Sequence, residues 1–311
     1  MVRRRTLLLG IFILLVASAL NASAAVTGEL TFDQRFEFKT DGHASTTFVP
    51  DIGLTASSSS TKTIRGEISL GVGYAESAWN LKVRRAYLRA RLPYGRMTVG
   101  KAPLPWGNGL IFNVANLTGR DPLWLTSYYL PFGALSFGEI VYLPAFETAT
   151  AKAGARLYLS LGPFTVEGGY LALLDRWDGH RAALSVQGHM GVDWWAAAAV
   201  PISAWDETAF SGGLFYSHAF LRGGTLSLRP EAQADLKGAY NLALQALYTP
   251  DLNTSFSFLT TYISETETLL IQGGGSLSLP EALVLTADIK LSFTQWAYTA
   301  LALELGCSWR F

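Results

Sequence analysis

The feature that most constrains the fold of this chain is a repeated alternation of apolar and polar side chains, in segments of about ten residues. In Leu283–Phe293, every odd-numbered position is apolar and four of the five even-numbered positions are polar. Alternation with a period of two puts the two sets on opposite faces of a strand, whereas a helix would scatter them around its axis. The sequence therefore predicts an all-β protein of many long strands.

The alternation points to a strand protein that meets lipid. Beyond the N-terminal segment, the chain has no apolar run of 18 residues, so no transmembrane helix is expected. Half of the residues are apolar and 15% are charged, and aromatic residues such as Tyr240 and Tyr248 stand near segment ends, as in interfacial girdles. A water-soluble sandwich would also alternate, with its apolar face inward. The length of the segments favours a transmembrane barrel, in which closure pairs every backbone group.

The N-terminus predicts export. Arg3, Arg4 and Arg5 precede the apolar stretch Leu7–Leu20 and the small residues Ala22-Ser23-Ala24, the three parts of a secretory signal. We expect a cleaved signal peptide at 1–24 and a barrel at 25–311; the alternative is an uncleaved membrane anchor. The single cysteine excludes a disulfide framework. Equal numbers of basic and acidic residues give no reason to expect nucleic-acid binding.

Counting the alternating segments predicts an antiparallel up-and-down barrel of eighteen strands, with sixteen as the alternative. Short turns alternate along the chain with longer, more polar connections, as in bacterial barrels. The segment 123–130 is counted because the parity of turns and loops breaks without it. The predicted strands lie near 28–38, 46–56, 63–74, 79–92, 96–101, 123–130, 134–143, 152–161, 164–173, 180–190, 192–201, 208–220, 225–235, 239–249, 253–263, 269–279, 283–293 and 298–311.

The last residues resemble the terminal strand of Gram-negative outer-membrane β-barrels. The assembly signal of those proteins is a polar residue, a glycine two positions on, and two aromatic or apolar residues that end the chain. Glu304, Gly306, Trp309 and Phe311 match these four positions. The resemblance implies an outer-membrane location reached through the periplasm, with outer-membrane lipid and the barrel-assembly machinery as partners.

A second resemblance covers Ala86–Asn116. The sequence A-Y-L at Ala86–Leu88, a turn at Pro93–Gly95, V-G-K at Val99–Lys101 and W-G at Trp106–Gly107 are similar to a hairpin of outer-membrane porin-like proteins. The I-V-Y-L-P run at 140–144 is similar to a strand end that follows in such proteins. The acidic pore-loop motif of trimeric general porins is missing, which leaves open whether the protein is a monomer or a homo-oligomer. The resemblance implies a channel for passive diffusion of small polar solutes.

Basic residues concentrate on one predicted face. The register that turns Ala86, Leu88, Ala90 and Leu92 toward lipid turns Arg85, Arg89 and Arg91 toward the lumen. An arginine facing lipid near mid-bilayer would cost roughly 2–4 kcal/mol. Rings of Arg and Lys attract anions in pores, so this set could prefer anions; the alternative is a structural ladder neutralised by acids such as Glu67 and Glu139. The candidate ladder consists of Arg65, Arg85, Arg89, Arg91, Arg96 and Lys101.

The stretch 101–122 is the longest without a strand pattern. It contains apolar residues such as Leu110, Ile111 and Phe112, which would be costly to expose to water. We expect it to fold into the barrel as a constriction, with an external lid as the alternative. The candidate constriction residues are Trp106, Asn108, Asn113 and Asn116.

No catalytic or metal-binding signature is present. The sequence lacks H-E-x-x-H, Walker and G-x-S-x-G motifs, and its four histidines are scattered with no ligand spacing. We expect no enzyme activity, cofactor or metal, although a barrel enzyme could assemble Ser and His from separate strands. The rivals of a channel are a transporter of hydrophobic molecules, suggested by the apolar loop, and a closed structural or assembly barrel.

Overall fold

The computed structural model describes residues 25–58, 63–75, 78–107, 109–119, 121–145, 150–221 and 223–310. The predicted signal peptide, Asn108 and Phe311 lie outside these residues. Eighteen strands form one antiparallel sheet. They are β1 Ala25–Lys39, β2 Ala44–Ser57, β3 Ile64–Ala75, β4 Ala78–Leu92, β5 Gly95–Ala102, β6 Leu123–Pro131, β7 Phe137–Leu143, β8 Lys152–Leu161, β9 Phe164–Leu173, β10 Arg181–His189, β11 Asp193–Pro201, β12 Ala209–Ala219, β13 Thr225–Asp235, β14 Tyr240–Thr249, β15 Thr254–Ile263, β16 Thr268–Leu279, β17 Leu283–Thr294 and β18 Ala297–Arg310.

The sheet closes on itself. Each strand pairs with its neighbours in sequence, and β1 pairs with both β2 and β18. The predicted all-β barrel and its eighteen strands are confirmed, including the segment that parity required, which is β6. The largest differences in bounds are at β1 and β7, which each begin three residues from the expected position.

Short 3-10 turns at Trp177–Gly179, Trp205–Glu207 and Pro280–Ala282 are the helical segments of the described chain. None of the helices in the described residues is long and apolar enough to cross a membrane.

The two faces of the barrel wall differ in composition. One face carries large exposed apolar residues, such as Leu242 and Leu244 on β14 and Leu303 and Leu305 on β18. The other face carries polar and charged residues and contacts the segment 103–122. We call these the outer and the inner face. The alternation seen in the sequence thus becomes apolar outside and polar inside, as expected where lipid surrounds the barrel.

Aromatic side chains gather on the outer face at both rims. At the end with the short turns, Tyr248 lies 6.2 Å from Phe220 and 6.5 Å from Phe256 between ring centroids. At the other end, Tyr262 lies 6.0 Å from Tyr240 and 5.9 Å from Trp296. Tyr240 and Tyr248 are eight residues apart on β14, about 27 Å along a strand. A strand tilted by 35–45° therefore separates the two girdles by about 20 Å, close to the apolar band of outer-membrane barrels.

The lengths of the connections differ only in part between the two ends of the barrel. The turns predicted to be short, at 93–95, 131–133, 162–163, 190–191, 222–224, 250–252 and 280–282, all fall at one end of the barrel. The connections at 103–122, 144–151, 174–180 and 202–208 fall at the other end, together with the shorter ones at 40–43 and 295–296. Successive connections therefore alternate between the two ends of the barrel as predicted, but those at the second end are not all longer.

Candidate functional site

The inner face of β3, β4 and β5 forms a continuous basic surface. In the register, Arg65 lies opposite Arg89, and Arg91 lies opposite Arg96. Arg85 lies four residues before Arg89 on β4 and therefore faces the same side of the sheet. The structure therefore brings Arg65, Arg85, Arg89, Arg91 and Arg96 together, as the sequence pattern indicated.

A β-bulge adds a residue that the alternation missed. The pairing of β3 with β4 shifts between Ser69 and Leu70, so Ser69 faces Arg85 while Leu70 faces Val83, and Arg84 is the extra residue. A bulge lets two consecutive side chains share a face. Arg84 points inward with Arg85, packs over the inner-face position Gly71, where a Cβ would collide with its guanidinium, and pairs with Asp51. The bulge also turns Lys82 inward.

Lys101 does not belong to the same surface. It pairs with Ala86 on β4 and Trp124 on β6, both on the outer face, whereas the inner positions of β5 are Arg96, Thr98, Gly100 and Ala102. The prediction that Lys101 belongs to the ladder is wrong; it rested on the short distance in sequence from Arg96. The odd spacing of five residues puts the two side chains on opposite faces, so the basic surface consists of the arginines and Lys82.

Few carboxylates neutralise this surface. Glu67 is 8% exposed, accepts from Arg85 at 3.1 Å and from the Tyr87 hydroxyl at 2.6 Å. Arg96 lies over the Tyr129 ring, with 4.6 Å between the guanidinium carbon and the ring centroid. Among the described residues, Arg65, Arg89, Arg91 and Arg96 have no carboxylate within 4.0 Å. The other expected acid, Glu139, pairs with Arg156 on β8 instead. The surface therefore keeps a large excess of positive charge.

The wall on the other side of β2 is balanced by comparison. On β1, β17 and β18, cations and carboxylates alternate on the inner face and pair with one another. Lys290 donates to Glu304 at 2.9 Å, Arg310 donates to Glu29 at 3.0 Å, and Arg35 lies 3.2 Å from Glu37. Positive potential in the lumen is thus concentrated on the side of β3–β5.

The described residues of the segment 103–122 lie inside the barrel and reach across it to β13. The backbone of this segment is held by inner-face side chains of the adjacent strands β8 and β9 and of β13, which lies four strands further along the sheet. Arg156 on β8 donates to the Pro105 carbonyl at 2.8 Å, and Glu167 on β9 accepts from the Gly107 N–H at 2.9 Å. We call this segment, which begins two residues later than expected, the inner loop. It narrows the lumen on the side of β8–β13.

The far end of the inner loop is bound by one buried carboxylate. Glu231 on β13 is 3% exposed and accepts from the backbone N–H groups of Leu110, Ile111 and Phe112 at 3.1, 2.8 and 2.8 Å. Three successive N–H groups that converge on one anion form a compact binding concavity. Glu231 stands on the polar face of an alternating segment, but nothing in the local sequence says which group it meets some 120 residues away. It was missed for that reason.

The candidate constriction residues mostly build the inner loop. Trp106 is 1% exposed and packs with Leu104, Val141, Leu143 and Leu171 between loop and wall. The Asn113 side chain donates to the Trp106 carbonyl at 3.0 Å, and the Asn116 side chain donates to the Gly119 carbonyl at 2.8 Å. These three residues fix the shape of the loop; Asn108 lies outside the described residues.

The C-terminal residues close the barrel. Glu304 and Gly306 are on the inner face of β18, where Gly306 lies beside Thr286 and Asp33, and a Cβ there would collide with both side chains. Trp309 is on the outer face and 47% exposed. Phe311 lies outside the described residues.

Solved structures share this fold. OccK11 (OpdR) of Pseudomonas aeruginosa superposes with a TM-score of 0.67 at 12% identity, over 93% of this chain and 96% of that chain. The anion-selective porin of Comamonas acidovorans has a TM-score of 0.52 at 11% identity, over 93% and 99%. Wzi, an Escherichia coli outer-membrane protein involved in group 1 capsule assembly, has a TM-score of 0.66 at 14% identity, over 94% and 85%.

No protein-family model matches the chain, and the comparison with curated proteins finds no match. The likeness to solved structures therefore concerns architecture. The chain has the fold of Gram-negative outer-membrane porin-type barrels.

Proposed function

We propose that the protein is an outer-membrane channel through which small polar solutes diffuse passively, with a preference for anions. The observation that carries the proposal is the basic inner face of β3–β5, which stands in the lumen with one carboxylate, Glu67, among its cations. Rings and stripes of Arg in a pore attract anions and disfavour cations. The fold it shares with an anion-selective porin agrees with this function.

The location and partners belong to the same proposal. The apolar outer face and the two aromatic girdles fit outer-membrane lipid, and the terminal strand fits recognition by the barrel-assembly machinery. The start of β1 and the end of β18 then lie on the periplasmic side, with the short turns. The inner loop is bound by side chains of its own barrel, which is compatible with a monomer and with a homo-oligomer.

The route follows from the position of the inner loop. Its hydrogen bonds go to β8, β9 and β13, so the open part of the lumen is bounded by the loop, by β14–β18 and by β1–β4. A permeating anion would pass Arg84 and Arg85 and then Arg91 and Arg96 near the short-turn end. Asp51 and Glu67 each form an ion pair with one arginine, which reduces the positive potential of the surface without cancelling it.

Conductance measurements test the proposal. Single barrels in a planar bilayer should give steps of ionic current, and a KCl gradient should give a reversal potential of the sign for anion selectivity. Replacing Arg85, Arg89 and Arg91 with Gln should reduce that potential. Lys101→Gln is the matched control, because it removes a positive charge from the outer face of the neighbouring strand and should leave the potential unchanged.

Salt sharpens the same test. The screening length falls from about 10 Å at 0.1 M to about 3 Å at 1 M salt, so selectivity due to the basic surface should weaken as salt rises. Cation selectivity, or an equal effect of Lys101→Gln and the triple variant, would contradict the proposal.

A closed assembly barrel is the second candidate, and the shared fold with Wzi favours it. It predicts a folded, inserted barrel with no current steps. A transporter of hydrophobic molecules is less well supported, because Leu104 and Trp106 of the inner loop are buried against the wall. It too predicts little or no ionic current.

A further inference from the structure

A cavity in the lumen lies apart from the basic surface of β3–β5. It sits near the short-turn end, between the inner faces of β9–β13, and has a volume of about 410 Å³. Small-molecule sites typically have volumes of roughly 300–1,000 Å³. Its inner-face lining includes Gln187, Asp193, Trp195, Phe215 and Arg229.

Trp195 is held in place by close packing. A Cβ at Gly213 would lie 2.8 Å from the indole Nε1, and a Cβ at Gly109 of the inner loop would lie 2.8 Å from the far edge of the ring. Glycine at these two positions makes room for two edges of the indole, Nε1 at the wall and Cη2 at the inner loop. The ring is therefore a fixed apolar surface at the edge of the cavity.

A cation, a carboxylate and an amide face the cavity. The Arg229 guanidinium lies over the Phe215 ring at 4.8 Å from its centroid, and no carboxylate of the described residues lies within 4.0 Å of it. Glu231, two positions along β13, is occupied by the three N–H groups of the inner loop. Asp193 shares one carboxylate oxygen with His189 at 2.7 Å, which leaves the second oxygen as an acceptor. Gln187 carries both donor and acceptor atoms.

This combination selects among ligand classes. A simple carboxylate or phosphate needs donors only, and Asp193 would repel it. An apolar solute would displace water from Arg229, Gln187 and the second oxygen of Asp193 and offer them no hydrogen bond, which is costly in a confined site. A pyranose has an apolar face of C–H groups that can stack on an aromatic ring. Its hydroxyls both donate and accept hydrogen bonds, so they can bind a guanidinium, a carboxylate and an amide together.

We propose that this cavity is a saccharide-binding subsite, in which a pyranose ring stacks on Trp195 and its hydroxyls contact Arg229, Asp193 and Gln187. The subsite adds a ligand class to the proposed function. It rests on that function in one respect: permeating solutes would reach the subsite through the lumen. The cavity lies on the short-turn side of the inner loop and faces the lumen from β9–β13. A bound sugar there leaves the basic surface of β3–β5 free.

Binding to the full-length barrel in detergent micelles tests the subsite without requiring conduction. Calorimetric titration with glucose and maltotriose should show saturable binding, and benzoate and succinate should bind more weakly. Trp195→Ala should weaken maltotriose binding by about tenfold, the factor expected from the loss of one aromatic contact. Trp195→Phe keeps a ring and should retain most of the affinity, whereas Arg229→Gln and Asp193→Asn should each weaken binding.

Matched controls separate the subsite from the rest of the chain. Trp205→Ala removes an exposed indole at the opposite end of the barrel, and Arg181→Gln removes an inner-face cation near that end; neither should change the affinity. Absence of saturable saccharide binding, or equal affinity in wild type and Trp195→Ala, would overturn the subsite. Stronger binding of benzoate than of maltotriose, lost in Arg229→Gln, would overturn it in favour of an anion site.

The two proposals fail separately. Normal current steps without saccharide binding would leave the channel standing and remove the subsite. Saccharide binding that depends on Trp195, in a barrel that gives no current, would support the subsite and remove the channel.

Discussion

Replacing Glu231 with Gln should loosen the inner loop while leaving the barrel intact. The carboxylate is buried and accepts three backbone N–H groups at 2.8–3.1 Å. A glutamine of the same size has one acceptor oxygen, and its NH₂ group would face N–H donors. The substitution therefore removes the negative charge and leaves at least one N–H of Leu110, Ile111 or Phe112 without its acceptor.

The size of the effect follows from these contacts. A hydrogen bond to a charged group contributes about 1.5–3 kcal/mol net. If the glutamine oxygen keeps one or two of the N–H groups as weaker, neutral bonds, the docked loop should lose about 2–4 kcal/mol. Since each 1.4 kcal/mol is a factor of ten, opening of the loop should become roughly 30 to 1,000 times more frequent.

Hydrogen exchange of the backbone amides measures that opening directly. The amides of Leu110, Ile111 and Phe112 should exchange faster by this factor in Glu231→Gln, while those of the strands keep their protection. Glu37→Gln is the control, because Glu37 is an inner-face carboxylate whose ion pairs are with Arg35 and Lys39 on its own strand. Unchanged exchange of the three loop amides in a folded Glu231→Gln barrel would refute the assignment of Glu231 as the clamp.

Four further predictions concern assembly, topology, the wall and pH. Deletion of Phe311 should lower the amount of barrel in the outer membrane and raise periplasmic degradation, measured by fractionation; normal levels would count against the terminal motif. Epitope tags at 175–180 should be reachable on intact cells and tags at 280–282 should not, and reverse labelling would overturn the parity. Arg156→Met should lower the free energy of unfolding by about 3–5 kcal/mol, because two buried carboxylates lose their cation; a loss below about 1 kcal/mol in denaturant titration would contradict this. Two backbone N–H groups of its own turn lower the pKa of Asp251 from its ordinary 3.8, so the order of that turn should be constant above about pH 4 and be lost as pH falls through the lowered pKa. Turn NMR shifts should show this, and should lose the acid transition in D251N.

The sequence alone determined the strands and their faces. Alternation is a local property, since a strand that meets lipid on one side and water on the other must repeat apolar and polar residues with a period of two. The bounds of β8, β9 and β13 coincide with those expected from the pattern. The same rule turned Arg85, Arg89 and Arg91 inward together, because arginine is costly on the lipid side.

The predicted faces of side chains were wrong or incomplete at two places, a β-bulge that interrupts the alternation and Lys101. The bulge between β3 and β4 reverses the parity of the residues before Arg85, so Arg84 and Lys82 face inward as well. A bulge depends on the pairing of two strands and leaves no mark in the alternation of either one taken over a few residues. Lys101 is the reverse case, since counting by twos from Arg96 already places it on the outer face.

The tertiary structure decided everything that depends on which parts of the barrel meet across the lumen. The apolar residues of 103–122 indicated burial, but only closure of the barrel brings Arg156, Glu167 and Glu231 to the backbone of that segment. Trp195 and Arg229 likewise belong to different strands and meet at one cavity because β11, β12 and β13 are adjacent. These contacts join residues up to about 120 positions apart, and a local pattern specifies the face of a side chain but not its distant partner.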